Sequence, residues 1–472
     1  MARTQHFPVQ AKIPIYSVGF LQDDVIVYSG GGGAGRSGVT NAVVAARIDL
    51  SAQTIHKLDE LGLSRDEDAP MAMSVNLSKS QLVCGINDTA DNIRNGNNQP
   101  VRIFDYSLQA VEANGEIRTT SSEKGKAKEE TTEQGPQVKL HFVRALSSLN
   151  IQDPEQYLKV VTFSPNGHML AIASTDGQVA LHRYPSLTPV WNDVGEPSSS
   201  AITAAEAKDT SVSIPSHDFD KSEIYDADFS HSNTHLVFTS SSKLVVYSTD
   251  PFSESSSDQV IADGDAANAS AEGFAQTIQT IKNPALGGKG PCSFRAARFG
   301  RGEASKEKLF TVVNAAPVGG KGPKAKIRKS FVTAWDADTW DLIETRHVSD
   351  RPVTVFDVSP DGKFLAYGSS DLSIGVLDAK TLRPVLKILH AHDFPPTCLK
   401  FNPASNLLVS ASADNTLRVI PIPAKALLES ASSGGGALAF ISETRMGFYT
   451  TIIFSLLIAA LALWIQRNYL IK

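Results

Sequence analysis

The chain has 472 residues, with 44 Lys+Arg against 50 Asp+Glu and a formal net charge of −6. An apolar content of 42% excludes wholesale disorder, and the acidic balance weighs against broad electrostatic binding, so no nucleic-acid partner is expected. Cys84, Cys292 and Cys398 lie far apart without a CxxC pair, which supports neither a disulfide framework nor a cysteine zinc site.

The N-terminus, MARTQHFPVQAKIPIYSVGF, lacks the apolar run and small-residue cleavage site of a signal peptide. A first pair of strand patterns follows at Ile15–Asp49, IYSVGFLQDDVIVYSG and VTNAVVAARID. They are separated by SGGGGAGRSGVTN over 29–41. Joining two strands needs two to five residues, and ordering so many glycines costs backbone entropy. Three readings are open. Gly30–Ser37 is one residue from a Walker-type phosphate loop, with Arg36 in place of Lys, and Gly30, Gly32 and Gly35 match a dinucleotide fingerprint. No βαβ alternation follows, which speaks against both. The other readings are a flexible loop, and a structured loop that presents a polar residue or holds an ion with its carbonyls.

Further units follow along the chain. Met73–Tyr106 holds MSVNLSKSQLVCGIND and PVRIFDY. SPNGHMLAIASTDGQVALHRY begins at Ser164, DADFSHSNTHLVFTSSSKLVVYSTD at Asp226, SPDGKFLAYGSSDLSIGVLDA at Ser359 and NPASNLLVSASADNTLRVIPI at Asn402. Phe294–Asp341 places Trp335-Asp336 where a WD pair belongs. Three copies share one spacing: Pro165 to Asp176, Pro360 to Asp371 and Pro403 to Asp414 are each 11 residues apart. Asp371 to Asp414 is 43 residues, within the period of about 40–45 of a WD-repeat blade. Seven units predict an all-β, seven-bladed WD-repeat β-propeller over 1–423. A strand near Phe7–Lys12 completes the seventh unit and removes open sheet edges. The surplus length is assigned to insertions at Glu112–Gln137, Pro185–Lys221, Pro251–Gly290 and Val318–Lys329.

Within the repeats, Asp176, Asp371 and Asp414 are expected to be turn residues. His390 and His392, in LHAHD, are expected to bond to a turn aspartate rather than a metal. The basic run Lys321, Lys324, Lys326, Arg328 and Lys329 reads as a solvated insertion, with contact to anionic lipid or an acidic partner as the functional alternative.

Residues 424–446, with SSGGGALAF, read as a flexible tether. A transmembrane helix is expected over 447–466. Gly447 to Ile465 runs 19 residues without a charge, about 28 Å as a helix against a hydrocarbon core of about 30 Å. Without a signal peptide, the expected topology is a cytosolic propeller and a short lumenal tail at 467–472. Arg467 and Lys472 beyond the span run mildly against the charge rule. Residues 1–446 carry 42 basic and 50 acidic groups, which leaves the span as the main hold on a membrane.

The glycine run followed by RSGVTN, in the first unit of a degenerate seven-unit propeller with one C-terminal span, resembles the prolactin regulatory element-binding protein family. These are endoplasmic-reticulum membrane exchange factors for the small GTPase of COPII budding. The match rests on Gly30–Gly33, Ser37-Gly38 and Asn41, supported by DAPM at Asp68–Met71. The resemblance implies guanine-nucleotide exchange without covalent chemistry and location in the endoplasmic-reticulum membrane. It implies a potassium ion held by backbone oxygens of 29–41. It gives Asn41 as the essential residue, Gly30, Gly31, Gly32, Gly33, Gly35, Ser37 and Gly38 as the partner-binding loop, and Ala42 and Val43 as packing against the GTPase. The alternative is a membrane-tethered scaffold without exchange activity.

Overall fold

The computed structural model describes residues 6–35, 38–109, 137–190, 219, 222–249, 276–284, 286, 292–316, 327–423 and 426–427. Arg36, Ser37, Lys321, Lys324, Lys326, most of the expected tether and the expected span at 447–466 lie outside them. Among the described residues no helix is long and apolar enough to cross a membrane. The chain divides after Ile422.

Up to that point it forms seven antiparallel sheets. Strand β1 (Phe7–Gln10) precedes the first blade, β2 (Ile15–Phe20), β3 (Val25–Gly30), β4 (Ala42–Asp49) and β5 (Thr54–Gly62). The second blade is β6 (Ala72–Asn76), β7 (Gln81–Gly85), β8 (Val101–Gln109) and β9 (Gln137–Leu146). The third has three strands among the described residues: β10 (Leu158–Phe163), β11 (Met169–Ser174) and β12 (Val179–Arg183). The fourth is β13 (Ile224–Phe229), β14 (His235–Ser240), β15 (Lys243–Ser248) and β16 (Thr277–Lys282). The fifth is β17 (Cys292–Phe299), β18 (Lys308–Ala315), β19 (Ser330–Asp336) and β20 (Leu342–Ser349), and the sixth β21 (Val353–Val358), β22 (Phe364–Ser369), β23 (Ile374–Asp378) and β24 (Pro384–Ile388). The seventh is β25 (Pro396–Phe401), β26 (Leu407–Ser412) and β27 (Thr416–Pro421), completed by β1.

The second strand of a blade reads as an unbroken apolar or small run because neighbouring blades cover both its faces. VIVYSG, MLAIAS, FLAYGS and LLVSAS are buried at every position. Outer strands are half exposed, as in β5 and β20. One expectation is corrected here. Pro251–Gly290 is not wholly an insertion, because TIQTIK within it pairs with β15 as the fourth strand of its blade.

Polar bonds join the innermost strands. Asp226 and Asp228 on β13 accept the backbone N–H of Ala297 and Phe299 on β17, at 3.2 and 2.8 Å. They pair with Arg298 and Arg301 of the next blade. Asp357 on β21 repeats the device, accepting from Phe401 N at 3.2 Å and from Lys400 Nζ at 2.7 Å. Buried charges of this kind persist when paired and fully hydrogen-bonded.

The predicted turn aspartates hold their places. Asp414 Oδ1 accepts from Thr416 N at 2.8 Å, and Asp371 Oδ1 from Ser373 N at 3.0 Å. His392 sits inside the fold. Its Nδ1 lies 2.7 Å from Thr416 Oγ1 and 3.4 Å from Asp414 Oδ2, and its Nε2 lies 2.8 Å from Ser410 Oγ. Burial pushes the His392 pKa down to about 4, against the opposing pull of Asp414. Closure comes from β1, whose Phe7, Pro8, Val9 and Gln10 lie opposite Val419, Arg418, Leu417 and Thr416.

Deleting residues 1–10 is expected to bare the edge of β27, lower the melting temperature and promote aggregation, read by calorimetry and light scattering. The His392 shift predicts a pH effect. Between pH 6.5 and 4 the unfolded chain holds the proton that folded His392 refuses, so this contribution is complete above 6.5 and is lost as pH falls towards 4. The loss is roughly 3 kcal/mol for a shift of this size. Urea titrations of wild type and His392→Gln should show the variant with the shallower pH dependence over that window.

Candidate functional site: the glycine-rich loop of the first blade

Strands β3 and β4 pair from Val25↔Arg47 to Gly30↔Ala42, which leaves 31–41 as the connection. Two glycines there are required by backbone geometry. Gly31 has φ +145°, and a Cβ built on it would lie 2.3 Å from Asn41 Oδ1 and 2.8 Å from Thr40 O. Gly33 has φ +67°, a region that side-chain-bearing residues rarely adopt.

Asn41 stands at the foot of the loop with no exposed surface. Its Oδ1 accepts from Gly33 N at 2.9 Å. Its Nδ2 donates to Ser64 O at 2.9 Å and Glu67 O at 3.0 Å, with Asp68 O at 3.5 Å. Its backbone carbonyl accepts from Leu63 N at 2.8 Å. An asparagine amide both donates and accepts, so one side chain ties the glycine turn to the segment between β5 and β6. That segment is fixed in turn. Glu67 pairs with Arg102 Nη2 at 2.8 Å, Asp68 N donates to Asn87 O at 3.1 Å, and Met71 N donates to Gly85 O at 3.1 Å. Burial raises the Asp68 carboxyl above its usual range, opposed by a hydrogen bond from Asn87. The loop is thus bonded through to the second blade.

Gly30 and Gly31 are buried, Gly32 and Gly33 half-buried, and Gly35 and Gly38 exposed. Ser37 lies outside the described residues. The expectation that Ala42 and Val43 pack against a partner is corrected. Ala42 is 1% exposed in the core shared by β1–β4 and the seventh blade, and Val43 is 0% exposed in the core shared with the second blade. As the first residues of β4 they have a blade on either side. Sequence reasoning missed Ser64, Glu67 and Arg102. Nothing near Asn41 in the chain points to them, although DAPM at Asp68–Met71 marks their neighbourhood.

Among the described residues no three His, Cys, Asp or Glu side chains gather around one point. An ion at this loop would therefore rest on neutral oxygens. Neutral oxygens suit a hard monovalent cation, but the bare face of Gly31 is itself filled, with Asn41 Oδ1, Asn41 Cα and Thr40 O at 2.3, 2.5 and 2.8 Å from where a Cβ would lie.

Asn41→Ala should leave Gly33 N–H and the carbonyls of Ser64 and Glu67 without this partner, costing about 1–3 kcal/mol in urea unfolding. Asn41→Asp should cost more at neutral pH, because its carboxylate faces those carbonyls, and should recover part of the loss as pH falls.

Comparison with known proteins agrees with this architecture. Residues 383–420 match the family "WD domain, G-beta repeat", a stretch that begins one residue before β24 and ends in β27. Over 391 residues the chain is 22% identical to SEC12-like protein 2 of Arabidopsis thaliana, covering 83% of this chain and 74% of that one. It is 22% identical over 419 residues to guanine nucleotide-exchange factor SEC12 of Rattus norvegicus, covering 84% and 82%. It is 23% identical over 424 residues to guanine nucleotide-exchange factor SEC12 of Candida glabrata, covering 87% and 71%. With a seven-bladed fold and similarity spread over most of its length, the chain is similar to the SEC12 and SEC12-like guanine nucleotide-exchange factors.

Proposed function

We propose that this chain is the guanine-nucleotide exchange factor for the small GTPase that starts COPII budding, and that residues 447–466 anchor it in the endoplasmic-reticulum membrane with the propeller in the cytosol. The observation that carries the reading is the glycine loop, held in one shape by a fully buried asparagine. A flexible connection has no need of that bond set, and relatives matched over most of the chain are named exchange factors.

Exchange of this kind makes no covalent bond. A factor that binds the nucleotide-free GTPase more tightly than its GDP form must, by linkage, weaken GDP. Preorganisation matters because every degree of freedom frozen on docking subtracts from that differential affinity. In this reading Asn41 acts by positioning: it sets the path of Gly31–Gly33 and leaves the exposed part of the loop, around Gly35 and Gly38, to meet the GTPase. A potassium ion would be held by backbone oxygens of 29–41. When bound, it supplies positive charge that fixes neutral carbonyls pointing inward.

GDP release from the COPII GTPase should be accelerated by residues 1–446 and slowed at least tenfold, relative to that, by Asn41→Ala at a temperature where both remain folded. No acceleration by wild type sinks exchange and leaves a membrane-tethered scaffold. Equal acceleration by the variant spares the function and removes Asn41 from it. Replacing potassium by sodium should lower both the exchange rate and the melting temperature, and no change in either would count against the ion.

A further inference from the structure

In a ring of antiparallel blades, the connections that precede each innermost strand and those that join second to third strands emerge on one face. The glycine loop is of the second kind. Residues 389–395, between β24 and β25, are of the first kind and lie on that same face. The seventh blade adjoins the first, with Thr397 Oγ1 donating to Ile15 O at 2.5 Å.

Two bulky apolar side chains stand out on this connection: Leu389 is 66% exposed and Phe394 57%. The other large exposed apolar residues among those described lie elsewhere. Phe142, Val143, Ile278, Leu342 and Ile343 are on the outermost strands, and Leu50 and Leu77 are in turns on the opposite face.

The connection that carries Leu389 and Phe394 is held by hydrogen bonds from Ala391 to Pro395. Ala391 N donates to Leu372 O at 2.7 Å, and Arg418 Nε donates to Ala391 O. His392 is bonded through both ring nitrogens. Asp393 N donates to Asp414 Oδ2 at 2.7 Å, and Ser412 Oγ donates to the carbonyls of Phe394 and Pro395 at 3.1 and 3.2 Å. Exposed apolar groups on a fixed backbone lose little entropy on docking, the usual setting of an interface anchor.

A cationic lip continues from this point around the central channel, whose cavity is 740 Å³. Thr354 Oγ1 donates to Pro396 O at 2.8 Å, and Arg295 Nε donates to Thr354 O at 2.9 Å. The guanidinium of Arg295 and the Nζ of Lys159 lie over the ring of Tyr225, at 5.1 and 4.7 Å from its centroid. Lys159 is paired with Glu223, whereas Arg295 forms no ion pair among the described residues.

We propose that Leu389 and Phe394, with Arg295 further along the channel rim of the same face, form a second contact for the GTPase engaged by the glycine loop, and that the GTPase meets them with an apolar patch and a carboxylate. This rests on the exchange reading, since a partner seated on the glycine loop is the one placed to cross this face. The loop sets the exchange chemistry, and this surface sets affinity.

The test is GDP release against concentration of the chain. The double variant Leu389→Ala/Phe394→Ala should raise the half-saturating concentration roughly tenfold or more, with plateau rate and melting temperature unchanged. Arg295→Gln should flatten its salt dependence, and an unchanged salt dependence overturns the acidic half of the contact. Wild-type half-saturation in the double variant overturns the surface alone, with exchange intact. A wild-type dimer that the double variant loses, without any change in exchange, makes a second copy of this chain the occupant and also overturns it. Failure of the wild-type chain to release GDP sinks the exchange reading and this surface together.

Discussion

The molecule depends on the fact that no blade can satisfy its own second strand. A run such as MLAIAS or LLVSAS is buried on both faces, so each sheet needs a neighbour on either side, and the last needs the first. Pairing of β1 with β27 meets that condition with backbone hydrogen bonds instead of side-chain packing alone. The innermost strands add a second kind of join, in which aspartates of one blade accept N–H groups from the next and pair with its cations. These bonds set blade spacing in a way that apolar contact, being non-directional, does not.

A closed ring makes a rigid base for an irregular loop. The glycine run has little cohesion of its own, since glycine carries no side chain to pack. Its order comes from Asn41, whose amide bridges Gly33 and the carbonyls of 64–67, and from Arg102 behind them. The same division recurs in the seventh blade. There His392, Asp414, Thr416 and Ser412 lie behind the connection and leave Leu389 and Phe394 facing outward. In both places buried polar groups fix a backbone so that the exposed part does not have to fix itself.

Much of this is legible in the sequence because propeller physics is local and repeated. The 11-residue interval from Pro to Asp spans one turn, one strand and the next turn, so it survives wherever that hairpin does. Closure by Phe7–Gln10 is legible because the seventh unit lacks a partner strand. What hides is non-local or diluted. TIQTIK, mostly exposed as an outer strand, lies in a Ser/Asp/Ala/Gly-rich stretch and carries too little apolar signal to stand out. Ala42 and Val43 follow a loop and look available, but AVVAARID is a third strand covered at its start on both sides. The partners of Asn41 lie 23 and 26 residues downstream, so no local pattern shows that its side chain points inward.

Ring closure also has a timing. The strand that completes the seventh blade leaves the ribosome ahead of every other strand of the propeller, and its partner is the last of them. At about 5–20 residues per second, the interval between Gln10 and Thr416 amounts to about 20–80 s of synthesis. For that time β1 exists without the edge it pairs with, and its neighbour β2 lacks the blade that will cover it. The first blade, which bears the glycine loop, therefore reaches its final packing only when translation has almost arrived at the C-terminal apolar segment.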